Sequence, residues 1–164
     1  LGTETALQVT RRLREPVLAV PPDFTGLPDT VVVGVDRGPA CVRAAVASLA
    51  VAGDRPTLHL VRVTDESDDA HAVADSYTGV EHAIAGIAGV TVRRHVRRGE
   101  VGPELAACAE ELGAGLIAVG RYGESFAERV LLGSVSTRVI RSASCCVLVE
   151  GADVGYYGRT SRAS

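Results

Sequence analysis

Short apolar runs recur along the chain, and turn-forming residues follow most of them. Residues 30–35 form a β-branched run that stops at Asp36-Arg-Gly-Pro39, and residues 57–63, 116–119 and 146–149 form similar runs. Continuous apolar runs of this length predict strands that are buried on both faces. Residues 90–97 alternate less regularly and predict a further strand that ends in a loop.

Apolar residues at helical spacing fill the intervals between these runs. Such patterns cover residues 39–50, 103–112 and 128–140, with Gly113 as a stop signal, and residues 72–87 form a weaker pattern that Gly79 and Gly86 interrupt. Strands and helices therefore alternate from residue 30 to residue 150. This order predicts an α/β, doubly wound, Rossmann-like sheet of five parallel strands with helices on both faces.

The first twenty residues are similar to residues 132–149, if a one-residue slip is allowed. Both segments begin with leucine, glycine and a hydroxyl residue, continue with a valine two residues before an arginine, and close on an apolar strand. We interpret residues 1–20 as the closing helix and strand of a preceding domain, residues 21–29 as a linker and residues 151–164 as a flexible tail. The alternative is that any amphipathic helix followed by an apolar strand looks like this.

The repeat also predicts how the sheet is completed. The strand at residues 146–149 is expected at a sheet edge, and an exposed apolar edge favours pairing with another strand. We expect residues 16–20 to lie beside it, within one chain or exchanged between two. The particle is expected to be a dimer with Leu18 and Leu148 near the contact.

Composition excludes several classes of protein. The chain has 164 residues, 46% of them hydrophobic, which suits a globular domain, and its apolar runs fall far short of the roughly 20 residues that a membrane-spanning helix needs. All 17 basic residues are arginines, so a lysine-dependent phosphate loop is excluded. The net charge of −3 has no basic stripe, so nucleic acid is not expected as a partner, nor is a membrane. Arginines 93, 94, 97 and 98 are interpreted as a solvent face.

Cysteine spacing and the N-terminus give weaker indications. The four cysteines have neither the number of a disulfide framework nor the spacing of zinc ligands, and Cys41 and Cys108 are interpreted as small core residues. The chain has no methionine and begins at Leu1, so we expect a fragment or a processed product. No secretory signal is visible, and the expected location is the cytoplasm.

The loop after the fourth strand carries the clearest chemical signal. It reads Gly120-Arg-Tyr-Gly123, then nine residues, then Gly133-Ser134, at the end of a strand where α/β sheets bind ligands. Glycines let the backbone approach a phosphate, backbone N–H groups supply donors, and the Ser134 hydroxyl adds another. A Cβ at Gly123 or Gly133 is expected to intrude on the phosphate or to forbid a positive φ. The alternative is a plain turn and helix cap.

This spacing resembles the nucleotide-binding signature of the universal stress protein family, in its ATP-binding branch. Further landmarks of the resemblance are Val33-Gly-Val-Asp36, the segment at residues 110–120 and the closing strand, so that it covers residues 30–150. Three features depart from the family pattern: Arg37-Gly-Pro39 after the first strand, Cys146 where proline is common, and a second helix that is short and interrupted by glycine.

The resemblance implies a binding site for ATP, with or without Mg²⁺. It places Gly34, Val35 and Asp36 at the adenine and ribose and Val63 at the base edge, although Asp36 could also cap a helix. The residues that it places around the phosphates are Gly120, Gly123, Gly133 and Ser134, with Val135 and Ser136 completing the turn. Arg121 could pair with a phosphate through its planar guanidinium, or could equally point to solvent.

Three functions follow as hypotheses. The first is an adenine-nucleotide-binding regulatory module of the stress response, which pairs with a second domain or a second copy through the last strand. The second is an enzyme with at most weak ATP hydrolysis or phosphoryl transfer, but no nucleophile and base converge on the loop, so no catalytic residue and no metal ligand are predicted. The third is a nucleotide-free dimerisation domain.

Overall fold

The computed structural model describes residues 2–121 and 133–151, and the account below concerns these residues. Six strands and five helices lie within them. In chain order they are α1 Thr3–Arg12, β1 Val17–Ala19, β2 Thr30–Gly34, α2 Pro39–Leu49, β3 Thr57–Thr64, α3 Ala70–Ile84, β4 Thr91–Arg98, α4 Val101–Leu112, β5 Leu116–Val119, α5 Ser134–Ser142 and β6 Cys146–Val149.

The strands form one sheet in the order β1-β6-β5-β2-β3-β4. The five strands from β2 to β6 are parallel, and β1 joins the edge antiparallel to β6. This confirms the predicted α/β fold with five parallel strands and adds a sixth. The chain moves outward from β2 to β4 and then returns to the other side of β2, so the strand order reverses between β2 and β5.

Two apolar clusters cover the two faces of the sheet. Val31 and Val33 of β2 pack with residues of α2 and α3 on one face. Val32 points to the other face and packs with Leu105 of α4 and Val139 of α5. Because alternate residues of β2 meet opposite clusters, the strand is buried on both sides, as its continuous apolar run predicts.

The edge strand β4 differs in pattern because most of its side chains meet solvent. Arg93, Arg94 and Arg98 are exposed, and Arg97 is partly buried. Arg94 pairs with Glu81, and Arg97 forms two hydrogen bonds to Glu111, at 2.6 and 2.9 Å. The interpretation of this basic cluster as a solvent face is confirmed for three of its four arginines. Charged side chains on an edge strand disfavour edge-to-edge association.

Helix α3 is more regular than its sequence suggested. It runs for 15 residues without a break at Gly79, so the expectation of a short, glycine-interrupted helix is wrong. A Cβ at Gly79 would lie 3.1 Å from a Val42 methyl group, so the glycine lets α3 approach α2 closely. Asp69 caps the helix by accepting a hydrogen bond from the Ala72 N–H at 2.7 Å.

Two other helices begin at residues that differ from those predicted. Helix α4 begins at Val101 and ends before Gly113. Gly113 caps the C-terminus of the helix in the left-handed conformation, with a φ of 62°. Helix α5 begins at Ser134, and the predicted helical residues 128–132 lie outside the described residues, as does the predicted tail beyond residue 151. No helix in the described ranges is both long and apolar enough to span a bilayer.

The N-terminal helix and strand complete the sheet. β1 pairs with β6 through Val17 with Val149, Leu18 with Leu148 and Ala19 with Val147. The pairing expected from the repeat is thus present within one chain. Leu7 of α1 is fully buried in the cluster that includes Val139, which fixes α1 against α5.

Candidate functional site

A cavity of about 520 Å³ opens at the carboxyl ends of the central strands. It lies where β2 and β5 are neighbours, which is the point where the strand order reverses. Open α/β sheets bind ligands at this place, and a volume of this size falls in the range of roughly 300–1,000 Å³ that small-molecule sites occupy. The N-terminus of α5 closes one side of the cavity.

Most of the predicted site residues lie around this one cavity. Those that line it are Gly34, Val35, Asp36, Val63, Gly120, Arg121, Gly133, Ser134 and Val135. Ser136 does not line it: the side chain is buried, and its hydroxyl donates to the Gly133 carbonyl at 3.0 Å. Gly123 and its neighbour Tyr122 lie outside the described residues. The ligand contacts assigned to all these residues stay predictions.

The two described glycines of the motif have packing roles of their own. A Cβ at Gly120 would lie 2.7 Å from Ala40 Cβ, at the start of α2. Gly133 has an ordinary φ of −55°, so no positive φ requires glycine there. Its N–H donates to the Arg121 carbonyl at 3.1 Å, and a Cβ would approach that same oxygen to 2.5 Å. A larger residue at Gly133 would therefore disturb the protein as well as any ligand.

Asp36 does not cap α2, because the N-cap residue of that helix is Gly38 and no side chain caps it. One of its carboxylate oxygens accepts a hydrogen bond from the Gly38 N–H at 2.8 Å, just ahead of α2. Pro39 occupies the first turn of that helix, where its missing N–H costs nothing. The side chain also lines the cavity, so this turn hydrogen bond and a ligand contact are compatible.

Arg121 is buried, which decides between the two orientations left open by the sequence. It is only 4% exposed, so the guanidinium does not extend into bulk solvent. Its Nε and one terminal nitrogen have no hydrogen-bond partner within residues 2–121 and 133–151. A buried cation with unused donors beside a cavity is unusual, because such groups are normally hydrogen-bonded.

Several cavity residues were missed by sequence reasoning. They are Cys41, Val61, Arg62, Asp65, Val101, Leu105 and Val119. Arg62 pairs with Asp68 at 2.8 Å, and Asp65 accepts hydrogen bonds from Ser67 that lower the pKa of its carboxyl. The signal for Arg62 and Asp65 was available, since both lie at the carboxyl end of the strand next to β2. The residues from α4 could not be found without knowing how that helix lies on the sheet.

The cysteines of the described chain act as small core residues. Cys41 lines the cavity, but burial raises the pKa of its thiol to about 12, so it is protonated at neutral pH and is not a ready nucleophile. Cys108 is 1% exposed. No group of three or more potential metal-ligating side chains occurs among the residues that the structure describes.

Comparison with known proteins identifies the family. The model of the universal stress protein family matches residues 28–149. A universal stress protein of Methanocaldococcus jannaschii is 43% identical over 61 residues, which are 37% of this chain and 36% of that relative. The chain thus matches about a third of the curated relative's length.

Solved structures share the fold. A universal stress protein from Archaeoglobus fulgidus is similar over 93% of this chain and 58% of its own, with a TM-score of 0.68 and 23% identity. A universal stress protein solved in complex with cAMP is similar over 76% of this chain and 98% of its own, with a TM-score of 0.57 and 24% identity. The family model covers most of the cavity-lining residues, including the motif after β5. The chain therefore belongs to the universal stress protein family.

Proposed function

We propose that the cavity binds an adenine nucleotide, ATP in the first place, and that its occupancy regulates how this domain associates with partners in a cytoplasmic stress response. The observation that carries the proposal is the position of the cavity: it lies at the reversal of strand order and is lined by the described part of the glycine motif. A neighbour of the same fold was solved with cAMP, which is also an adenine nucleotide.

The two ends of the cavity suit the two ends of such a ligand. At the phosphate end, α5 begins at Ser134, and its N-cap residue Gly133 offers no side-chain cap, so the first N–H groups of the helix are available to an anion. The Ser134 hydroxyl is exposed there, and Arg121 adds unused donors. At the other end, apolar Val35 and Val63 offer surfaces for a base, and Asp36 offers acceptors for ribose hydroxyls.

The experiment that tests this proposal identifies and measures the bound nucleotide. Purified protein is denatured, and any nucleotide released is identified by mass. Emptied protein is then titrated by calorimetry with ATP, ADP, AMP, cAMP and GTP, each with and without Mg²⁺. We expect an adenine nucleotide to bind more tightly than GTP. Failure of every adenine nucleotide to bind would overturn the proposal.

We also propose that α1 and β1 are the closing helix and strand of a preceding domain. The register of β1 and β6 supports this, because residues 17, 18 and 19 correspond in the repeat to residues 147, 148 and 149. Leu18 pairs with its counterpart Leu148, and the flanking pairs are related by the same exchange. Such reciprocal contacts are the mark of a two-fold interface between equivalent units.

This register is compatible with two assemblies. In a tandem protein, the paired strands belong to one chain, as they do here. In a homodimer, the N-terminal strands are exchanged between two chains with the same register. We propose the tandem arrangement, and the dimer stays the alternative that sedimentation of the purified chain distinguishes.

A further inference from the structure

Three charged side chains lie near the phosphate end of the cavity. Arg121 follows β5, Glu150 follows β6, and Arg43 lies on α2. The Nε atom of Arg43 is 3.7 Å from a Glu150 oxygen, and both side chains are mostly buried. Burial raises the pKa of the Glu150 carboxyl, while the positive charges of Arg43 and Arg121 act in the opposite direction. Glu150 therefore lies within electrostatic reach of both arginines.

The charge cluster, consisting of Arg43, Arg121 and Glu150, is incompletely neutralised by the residues that the structure describes. Within it, Arg43 pairs with Glu150 and Arg121 lies within electrostatic reach of the same carboxylate, so the three side chains together carry one excess positive charge. Four polar atoms of the cluster lack a hydrogen-bond partner among the described residues: the Nε of Arg43, two guanidinium nitrogens of Arg121 and one oxygen of Glu150. Buried charged groups without hydrogen-bond partners raise the free energy of the folded protein. This free energy falls when an anion comes within hydrogen-bond distance of the donors.

Only Arg121 of the three lines the cavity. It lies at the end where the chain passes from β5 towards α5, while Asp36 and Asp65 lie at the ends of β2 and β3. The carboxylates of Asp36 and Asp65 already accept hydrogen bonds from Gly38 and Ser67. Arg62 also lines the cavity on β3, but its charge is paired with Asp68, so the unpaired cation of the described lining is Arg121 and an anion is expected there.

We propose that the charge cluster is an anion subsite that sets the phosphate preference of the cavity: Arg121 contacts the phosphate, and Glu150 is an internal anion that competes for the same cation. This inference rests on the proposed function for the nucleoside part of the ligand. The chemistry of the subsite itself, a phosphate anion, is shared by nucleotides and by inorganic phosphate or triphosphate.

The competing roles predict effects of opposite sign. Arg121→Gln removes the cation and leaves Glu150 to repel the phosphate, so ATP should bind roughly 10–100-fold more weakly, as for a lost charged hydrogen bond. Glu150→Gln removes the competitor, so ATP should bind several-fold more tightly. Adenosine has no phosphate, and its affinity should stay the same in both variants. A merely structural role for Glu150 would instead weaken ATP and adenosine together.

The experiment measures the full-length chain by calorimetry with ATP, adenosine and inorganic triphosphate as separate probes. The readout is the ratio of the adenosine and ATP dissociation constants, which does not depend on the fraction of folded protein. Arg98→Gln is the matched control, because it removes an exposed arginine on β4. If Arg121→Gln or Glu150→Gln does not fold, Arg43→Gln replaces it. This variant removes the ion-pair partner of Glu150, so the ratio of the adenosine and ATP dissociation constants should fall, by a smaller factor than in Arg121→Gln.

The possible outcomes separate this inference from the proposed function. A ratio that falls for Arg121→Gln and rises for Glu150→Gln supports the charge cluster as the subsite. An unchanged ratio in both variants overturns it, even where ATP still binds. If triphosphate binds, but adenosine does not bind and ATP is not preferred, the result supports the anion subsite and overturns the adenine nucleotide proposal.

Discussion

At the scale of single residues, Asp36 combines a hydrogen bond in the turn before α2 with a place in the cavity. Asp36→Ala should lower the free energy of unfolding by about 1 kcal/mol through the lost hydrogen bond from the Gly38 N–H. It should also weaken adenine nucleotides by a larger factor than inorganic triphosphate, because the carboxylate is assigned to the ribose. Denaturant unfolding and calorimetry with the two ligands measure these effects.

The matched control is Asp69→Ala, which removes the cap of α3 away from the cavity. It should show a similar loss of stability with no change in nucleotide affinity. Equal losses of ATP and triphosphate affinity in Asp36→Ala would contradict the ribose assignment and leave Asp36 only its hydrogen bond from Gly38.

His59 gives a residue-scale prediction about pH. Its Nδ1 lies 2.7 Å from Nε2 of His95, and burial, His95 and Arg93 together lower the pKa of His59 below 6.5. Below about pH 6.5 the unfolded chain therefore takes up a proton that the folded protein does not yet bind. His59 thus makes stability fall as the pH drops through this window, until its folded pKa is reached.

We expect His59→Gln to lose this part of the pH dependence. Urea unfolding at about pH 7.5 and about pH 5.5 should show a smaller drop for the variant than for the wild type. The exposed His82 on α3 supplies the control, since His82→Gln should keep the wild-type difference. An identical drop in His59→Gln would show that the buried histidine does not contribute.

At the scale of elements, the position of α5 depends on a glycine of α4. A Cβ at Gly102 would lie 2.5 Å from Arg138 Cβ and 3.5 Å from the Arg138 backbone. Gly102→Ala should therefore push α5 outward, lower stability by about 1–3 kcal/mol and weaken nucleotide binding, since the start of α5 lines the cavity. Thermal unfolding with and without ATP measures both effects.

Gly86→Ala provides the comparison for this substitution. Gly86 has no heavy atom within 4 Å of its Cβ position, so alanine there should leave nucleotide affinity unchanged and stability unchanged or slightly raised. If Gly102→Ala behaved in the same way, the close contact would not fix α5.

The sequence predicted those elements whose pattern reflects burial alone. Strands β2, β5 and β6 are buried on both faces, so a continuous apolar run marks each of them. Helix α3 was predicted poorly because Gly79 is a breaker by local propensity. In the fold, the same glycine allows contact with α2, and a single sequence does not show such a contact.

The same distinction holds for the candidate site. The glycine motif after β5 and Asp36 after β2 are contiguous signals, and the structure brings their described residues to one cavity. The place of Leu105 in the cavity depends on how α4 packs on the sheet, and the proximity of Arg121 to Glu150 depends on the strand order. Neither can therefore be predicted from a short stretch of sequence. Gly133 was assigned to the phosphate, yet its contact with the Arg121 carbonyl depends on how the loop closes.

At the scale of the whole molecule, β1 covers an edge that would otherwise be exposed. All four residues of β6 are buried, and β1 supplies its antiparallel partner. β1 is only three residues long, so its pairing should be sensitive to proline. The N–H groups of adjacent strand residues point to opposite sides, so proline at both Val17 and Leu18 must remove at least one hydrogen bond from the ladder.

We expect Val17→Pro/Leu18→Pro to release β1 and bare the apolar edge of β6, which then pairs between chains. Sedimentation velocity should show a concentration-dependent shift to larger species relative to the wild type, and amide exchange at residues 146–149 should change with concentration. Leu27→Ala, at an exposed residue between β1 and β2, is the control and should sediment like the wild type. The double-proline variant could instead sediment like the wild type and keep its amide protection at residues 17–20. This result would contradict the role of β1, because the edge would stay covered although hydrogen bonds between β1 and β6 had been removed.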